Sequence, residues 1–274
     1  MTRFASAALA LAAVALTTAG ACAQPPGSAS PGNAAPARTT GAGAGAPQRP
    51  PFDVHAPIDP SRGDALHNPS VYHTAEVLKF VGVKPGWKMA DIFPGRFATA
   101  FGKAVGPSGK VYGFTPDEIV KVHPGIADLK VARAKDPAWA NVTALTSPMN
   151  DMALPSGLDA VFIRQNYHDL HVRFMGPADV PAFNRKVYAA LKPGGVFIII
   201  DHVAPAGVDE TTAVNRLHRI NPADVRAEVE AAGFKFDGES KALAEPADDH
   251  THMVLETSVL GKTDQFMYRF RKPK

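Results

Sequence analysis

Between Lys84 and Phe114 the apolar positions change rhythm twice. Trp87 to Phe93 is a compact apolar run closing on Asp91-Ile92-Phe93, and Pro94-Gly95 breaks it. Phe97, Phe101, Ala104 and Val105 then recur at helical spacing and give one apolar face. Gly106-Pro107-Ser108-Gly109 stops that helix, and Val111 to Phe114 returns to extended structure. A strand, turn, helix and strand, with an acidic residue near the end of the first strand, is how a doubly wound α/β domain opens. The helix N-terminus faces the carboxyl end of the strand. Its unpaired N–H groups and dipole form a polar floor for a ligand.

The same patterning runs on in both directions. Asn68-Pro69-Ser70 reads as a helix start, followed by Val71, Ala75, Leu78 and Val81 on one face. Thr115-Pro116-Asp117-Glu118 reads as a capping box with proline at the first helical position, opening a helix that Pro124 interrupts. Asn141 to Leu145 is a short third strand, and Leu158 to Ile163 is an apolar run suited to a buried parallel strand. Pro181 to Leu191 is helical, and Lys192-Pro193-Gly194-Gly195 turns into a fifth strand, Val196 to Ile200, which Asp201-His202 closes at the same sheet edge. Asn221-Pro222 caps a helix carrying Val225, Val229 and Ala232, with Gly233 ending it. The tail from Gln265 to Arg271 alternates Phe266, Tyr268 and Phe270 against Met267, Arg269 and Arg271, an edge-like strand.

Composition sets the first 51 residues apart. Thr2 and Arg3 precede an alanine-rich apolar run from Phe4 to Ala15, and Ala21-Cys22-Ala23 forms an A-x-A cleavage site, so residues 1–23 read as a signal peptide. An alternative makes Ala19-Gly20-Ala21-Cys22 a lipoprotein box with Cys22 lipidated. Either reading places the mature protein outside the cytoplasm, periplasmic or secreted. Residues 24–51 are Pro, Gly, Ala and Ser with Arg38 and Arg49, a flexible tether that cannot bury a core. Residues 52–274 are one domain's worth. Cys22 is the single cysteine, and cleavage after Ala23 leaves the mature chain with none, which excludes disulfides, thiolate metal sites and a cysteine nucleophile. The net charge is +3, and Arg3, Arg38 and Arg49 all lie before Phe52 where no acid does, leaving the domain neutral. A neutral domain without basic runs gives nucleic acid no electrostatic handle.

The richest chemistry follows the fourth strand: Arg164-Gln165-Asn166-Tyr167-His168-Asp169-Leu170-His171. Carboxyl ends of central strands form the ligand crevice of an open parallel sheet. There His168 and Asp169 can take a proton from an acceptor, with Asn166 and Tyr167 orienting it. The alternative is a polar loop whose histidines bond main chain. His168 and His171, with Asp169 between and His202 after the next strand, also offer imidazole and carboxylate to a divalent ion. HDLH lacks the i, i+4 spacing of a helical metal pair, and no metal is assigned. Asp248-Asp249-His250-Thr251-His252 reads as a solvated loop.

The unit from Lys84 to Phe114 resembles motif I of the class I S-adenosylmethionine-dependent methyltransferases, and LKPGGVFIIIDH (residues 191–202) resembles their fifth strand with its entry turn. QNYHDLH (165–171), HRINPADVRAEVEAAGF (218–234) and GKTDQF (261–266) are similar to an exported bacterial group of predicted methyltransferases. The likeness covers Asn68 to the C-terminus. It implies a Rossmann-like, mostly parallel sheet with an antiparallel last strand beside the fifth, and methyl transfer from S-adenosylmethionine to a small-molecule acceptor. It further implies cofactor contacts from Asp91, Gly95, Thr115 (ribose), Asp151 and Met152 (adenine edge) and Asn166, with His168, Asp169 and Tyr167 at the acceptor. The sequence departs at the turn. DIFPGRF carries Gly95 alone and is shorter than the family's run of close glycines. Thr115 stands where many methyltransferases end the second strand in a carboxylate, with Asp117 and Glu118 just beyond; helix capping and dipole compensation are the alternative use of those acids. The competing functional reading is a non-catalytic extracytoplasmic ligand- or metal-binding protein on the same fold. Nicotinamide chemistry is weaker, since G-x-G-x-x-G is missing and no acid ends the second strand.

Overall fold

The computed structural model describes residues 72–122, 137–176 and 178–274. Residues 1–51, read above as signal peptide and tether, the expected helix start at Asn68-Pro69-Ser70 and Pro124 lie outside them. Among the described residues there is one seven-stranded sheet of order β3-β2-β1-β4-β5-β7-β6. Its strands are β1 (Lys88–Ile92), β2 (Lys110–Pro116), β3 (Val142–Ser147), β4 (Leu158–Arg164), β5 (Leu191–His202), β6 (Lys235–Ser240) and β7 (Gln265–Arg271). The first five are parallel, and β7 runs antiparallel to both β5 and β6. This is the mostly parallel, doubly wound α/β sheet of the class I methyltransferase fold, with strand order reversing between β1 and β4.

Helices cover both faces because the central strands are apolar on both sides. Every residue of β4 is buried. On one face α1 (Thr74–Val81) and α2 (Arg96–Val105) bring Val77, Val81, Phe97, Phe101 and Val105 against Met89, Phe162 and Ile198. On the other, α4 (Val180–Ala190) and α5 (Pro222–Ala231) bring Phe183, Val187, Val225 and Val229 against Val161, Ile163, Phe197 and Ile199. The Asn221 cap forms as its sequence predicts, its side chain accepting from the Ala223 N–H at 2.9 Å. Among the described residues no helix is long and apolar enough to cross a membrane.

Several local expectations differ. β7 is interior to the sheet, and β6 is the edge. Arg269 and Arg271 both donate to Asp237 of β6, at 2.7 and 2.6 Å, across a register shift between Phe236 and Gly238. The turn at Lys192-Pro193-Gly194-Gly195 is an irregular entry within β5, beside a register shift on β4. Only glycine fits at 195, where a Cβ would stand 2.9 Å from the Lys192 carbonyl oxygen. Thr115 and Pro116 belong to β2, and α3 begins at Asp117 (Asp117–Val122). The Glu118 carboxylate accepts from the Met149 N–H after β3, tying two strand ends together in place of the expected capping box.

Candidate functional site

Strand order reverses between β1 and β4, and the carboxyl ends on either side of such a reversal are where doubly wound sheets take their ligands. Both strands end in the same backbone device. Phe93 (φ 58°) and Gln165 (φ 57°) are left-handed although neither is glycine. Each still completes a ladder bond, Phe93 N–H to the Phe114 oxygen (2.8 Å) and Gln165 N–H to the Ile200 oxygen (2.7 Å). Such conformations cost on the order of 1–3 kcal/mol apiece and gather at ligand sites.

On the β1 side, Asp91 is buried in its strand, and Gly95 sits exposed at the N-cap of α2 with nothing within 4 Å of where a Cβ would stand. Phe97 turns away from this edge into the core, its ring 5.2 Å from that of Phe162. Arg96 lies over the Tyr72 ring, 4.9 Å from its centroid. The shortened turn closes because Pro94 folds onto β2, where Gly113 has no side chain. A Cβ there would meet Pro94 at 3.0 Å. Thr115 is buried, and its carbonyl accepts from the Thr146 hydroxyl, which also donates to Asp117. Asp151 is exposed in a short 3-10 turn after β3, whereas Met152 is buried.

The β4–β5 side carries a connected polar cluster. The 3-10 turn His168–His171 buries His168 and Asp169. Asp201, fully buried at the end of β5, accepts from the His168 main-chain N–H (2.9 Å) and from His168 Nδ1 (2.8 Å). His168 Nε2 then faces His218 Nδ1 at 3.2 Å and Asp169 Oδ1 at 3.3 Å. Asn166 donates to the other oxygen of Asp169 at 2.7 Å. His202, adjacent in sequence to Asp201, pairs its Nδ1 with the Thr263 hydroxyl at 2.8 Å. Among the expected site residues, His168, Asp169 and Asn166 therefore come together. Tyr167 does not join them. It is buried, its hydroxyl donating to Glu228 (2.9 Å) and accepting from Asn184 (2.8 Å). His171 also points elsewhere, toward Glu210 and Glu228.

Electrostatics divide the three imidazoles. Burial pulls His168 down, but Asp201 and Asp169 outweigh it and raise it to about 9. Burial, aided by the charge on His168, pushes His218 down to about 3. His202 is likewise pushed to about 3 by burial, against the opposing pull of Asp201. Burial raises Asp169, while the charge and hydrogen bonds of His168 overcome burial and lower Asp201.

Sequence reasoning passed over Asp201 and His218 as site residues. Asp201 was recoverable from the crevice rule, since it ends the most apolar strand at the same edge. His218 was not, because a π-helical turn (Ala213–Leu217) and a long loop bring it in. The expected solvated loop at Asp248–His252 does expose Asp249 and Thr251, but its first residue is an internal brace. Asp248 is buried and receives both Nη1 and Nη2 of Arg219, at 2.8 and 3.1 Å.

No protein-family model matches the sequence, and no curated protein matches it either. Solved structures do share its fold. A SAM-dependent methyltransferase from Aquifex aeolicus aligns with a TM-score of 0.53 at 23% identity, over 78% of this chain and 99% of that one. The [4+2]-cyclase SpnF aligns with a TM-score of 0.51 at 16% identity, over 74% of this chain and 81% of that one.

Proposed function

We propose that this chain is an S-adenosylmethionine-dependent methyltransferase acting on a small-molecule acceptor at the carboxyl edge of β1, β4 and β5. The observation that carries the reading is one edge holding two unlike halves: an open glycine turn with a helix N-terminus after β1, and a buried imidazole–carboxylate cluster after β4 and β5. The fold, shared with a methyltransferase, raises the prior without fixing the reaction, since a cyclase has it too.

The residues present fit the adenosyl group at the turn. Space beside Gly95 is open, Phe97 is turned into the core, and Pro94 lies flat on Gly113. Asp91 and the α2 N-terminus would hold the cofactor's polar groups there, with Asp151 and Met152 along the base and Asn166 near the transferring centre. The bound cofactor supplies an electrophilic methyl. The chain's part is positioning the acceptor in line with it, an effect worth on the order of 7–11 kcal/mol when geometry is right. The His168–Asp169–Asp201 cluster would orient the acceptor, with Asp169, whose carboxyl burial raises, placed to take its proton and His168, charged near neutral pH, holding that carboxylate in position. Tyr167, buried behind it, positions the turn. Export of the chain, with Cys22 as a lipid anchor in the alternative form, rests on residues 1–23 alone.

Calorimetry with S-adenosylhomocysteine and S-adenosylmethionine tests the reading. One equivalent bound, weakened at least tenfold in Asp91→Ala, is expected. Failure to bind either at millimolar ligand would favour the second reading, a non-catalytic binding protein, which the depleted glycine turn supports.

A further inference from the structure

We propose that His168 Nε2, Asp169 Oδ1 and His218 Nδ1 form a divalent-cation site, with zinc the ion that fits best. The three donor atoms stand 3.2, 3.3 and 3.8 Å apart. The point in their plane equidistant from all three lies about 2.0 Å from each, and points just above it slightly farther, within the range of zinc–imidazole and zinc–carboxylate bonds. The two imidazoles lie with planes at 90° and centroids 5.3 Å apart, so they meet edge-on rather than stacked, with His168 Nε2 and His218 Nδ1 3.2 Å apart.

The surroundings match a built site. His168 Nδ1 faces Asp201, which fixes the tautomer with the lone pair on Nε2, the carboxylate–histidine arrangement that supports metal ligands. The Asp169 oxygen left over accepts from Asn166, which orients the ligating one. His218 is held left-handed (φ 53°) between the π-helical turn and Arg219. Arg219 is itself clamped by Asp248 and by the carbonyls of Val203 and His252. Three protein ligands leave a coordination position, the pattern of catalytic rather than structural zinc, and an oxygen ligand suits it. Among the described residues the set differs from the sequence expectation: His218 replaces His171 and His202.

The site stands on its own geometry and does not rest on the methyltransferase reading. Its test is metal uptake by the purified full chain, stripped with chelator and titrated with Zn2+ or Co2+ and no other ligand. One equivalent bound is expected, with visible Co2+ absorption of the intensity that four-coordinate imidazole and carboxylate ligation gives. His218→Ala should weaken binding at least a hundredfold. Asp201→Asn, which keeps all three ligands, should weaken it about 10–100-fold. Circular dichroism identifies any variant that fails to fold. Stripped wild-type protein taking up neither ion, or His218→Ala binding as tightly as wild type, would overturn the proposal and leave a proton shared within the cluster. Because no adenosyl ligand is present, either outcome leaves cofactor binding to its own test, while metal uptake would reassign His168 and Asp169 from proton transfer to ligation.

Discussion

Asp248 and Arg219 show how single residues fix the far side of the site. Both side chains are fully buried, and the carboxylate also accepts from the Asp264 and His250 N–H groups. Asp248→Ala would strand a guanidinium in the interior, and such breaks cost about 3–5 kcal/mol. Chemical denaturation should read that loss. Burial pushes the Asp248 carboxyl up, but the hydrogen bonds from Arg219 and the two main-chain donors prevail and hold it below its ordinary value. A depressed folded value means the unfolded chain binds the proton more readily. The pair's contribution is thus complete above the unfolded value of about 3.9 and is lost as pH falls below it, toward the folded value. Wild type should lose stability over that window more steeply than Asp248→Asn. None of this was legible in DDHTH, where five polar residues in a row read as solvent-facing. Burial there depends on Arg219, distant in sequence, so only tertiary structure shows it.

At the scale of elements, the β1–α2 turn decides whether the crevice works. Its strand and helix were legible because Trp87–Phe93 and Phe97–Val105 carry unambiguous apolar periods. How a turn with one glycine closes was not legible, since the answer lies on β2. Gly113→Val would push Pro94 from its seat, 3.0 Å from the missing Cβ. Overpacking of this kind costs about 1–3 kcal/mol. Thermal melting should show a destabilised but folded protein, while calorimetry shows S-adenosylhomocysteine affinity reduced by at least tenfold. Unchanged affinity would mean that the turn's position is irrelevant to binding. The β6–β7 pair illustrates the converse. β7 was readable from alternation, yet its place inside the sheet depends on Lys235–Ser240, where Asp237 and Gly238 break the pattern that would have marked a strand. Asp237 lies opposite two arginines, so the apparent edge charges are cross-strand partners.

For the molecule as a whole, fold and chemistry were legible to different degrees. Alternating strands and helices, and an acid near the end of the opening strand, lead to the doubly wound sheet, and the crevice rule then points at the QNYHDLH stretch. It was the pairing of that stretch with Asp201 and His218 that needed three-dimensional proximity. The proposed methyl transfer requires that the β1–β4 edge seat an adenosyl ligand despite its single glycine. Hydrogen–deuterium exchange of the full chain with and without S-adenosylhomocysteine tests it most directly. The account predicts slower exchange at Phe93–Phe97 and Gln165–Leu170 on addition of ligand, with the β6–β7 edge unchanged. Exchange unaltered at both segments under saturating ligand, or protection confined to another part of the sheet, would contradict it.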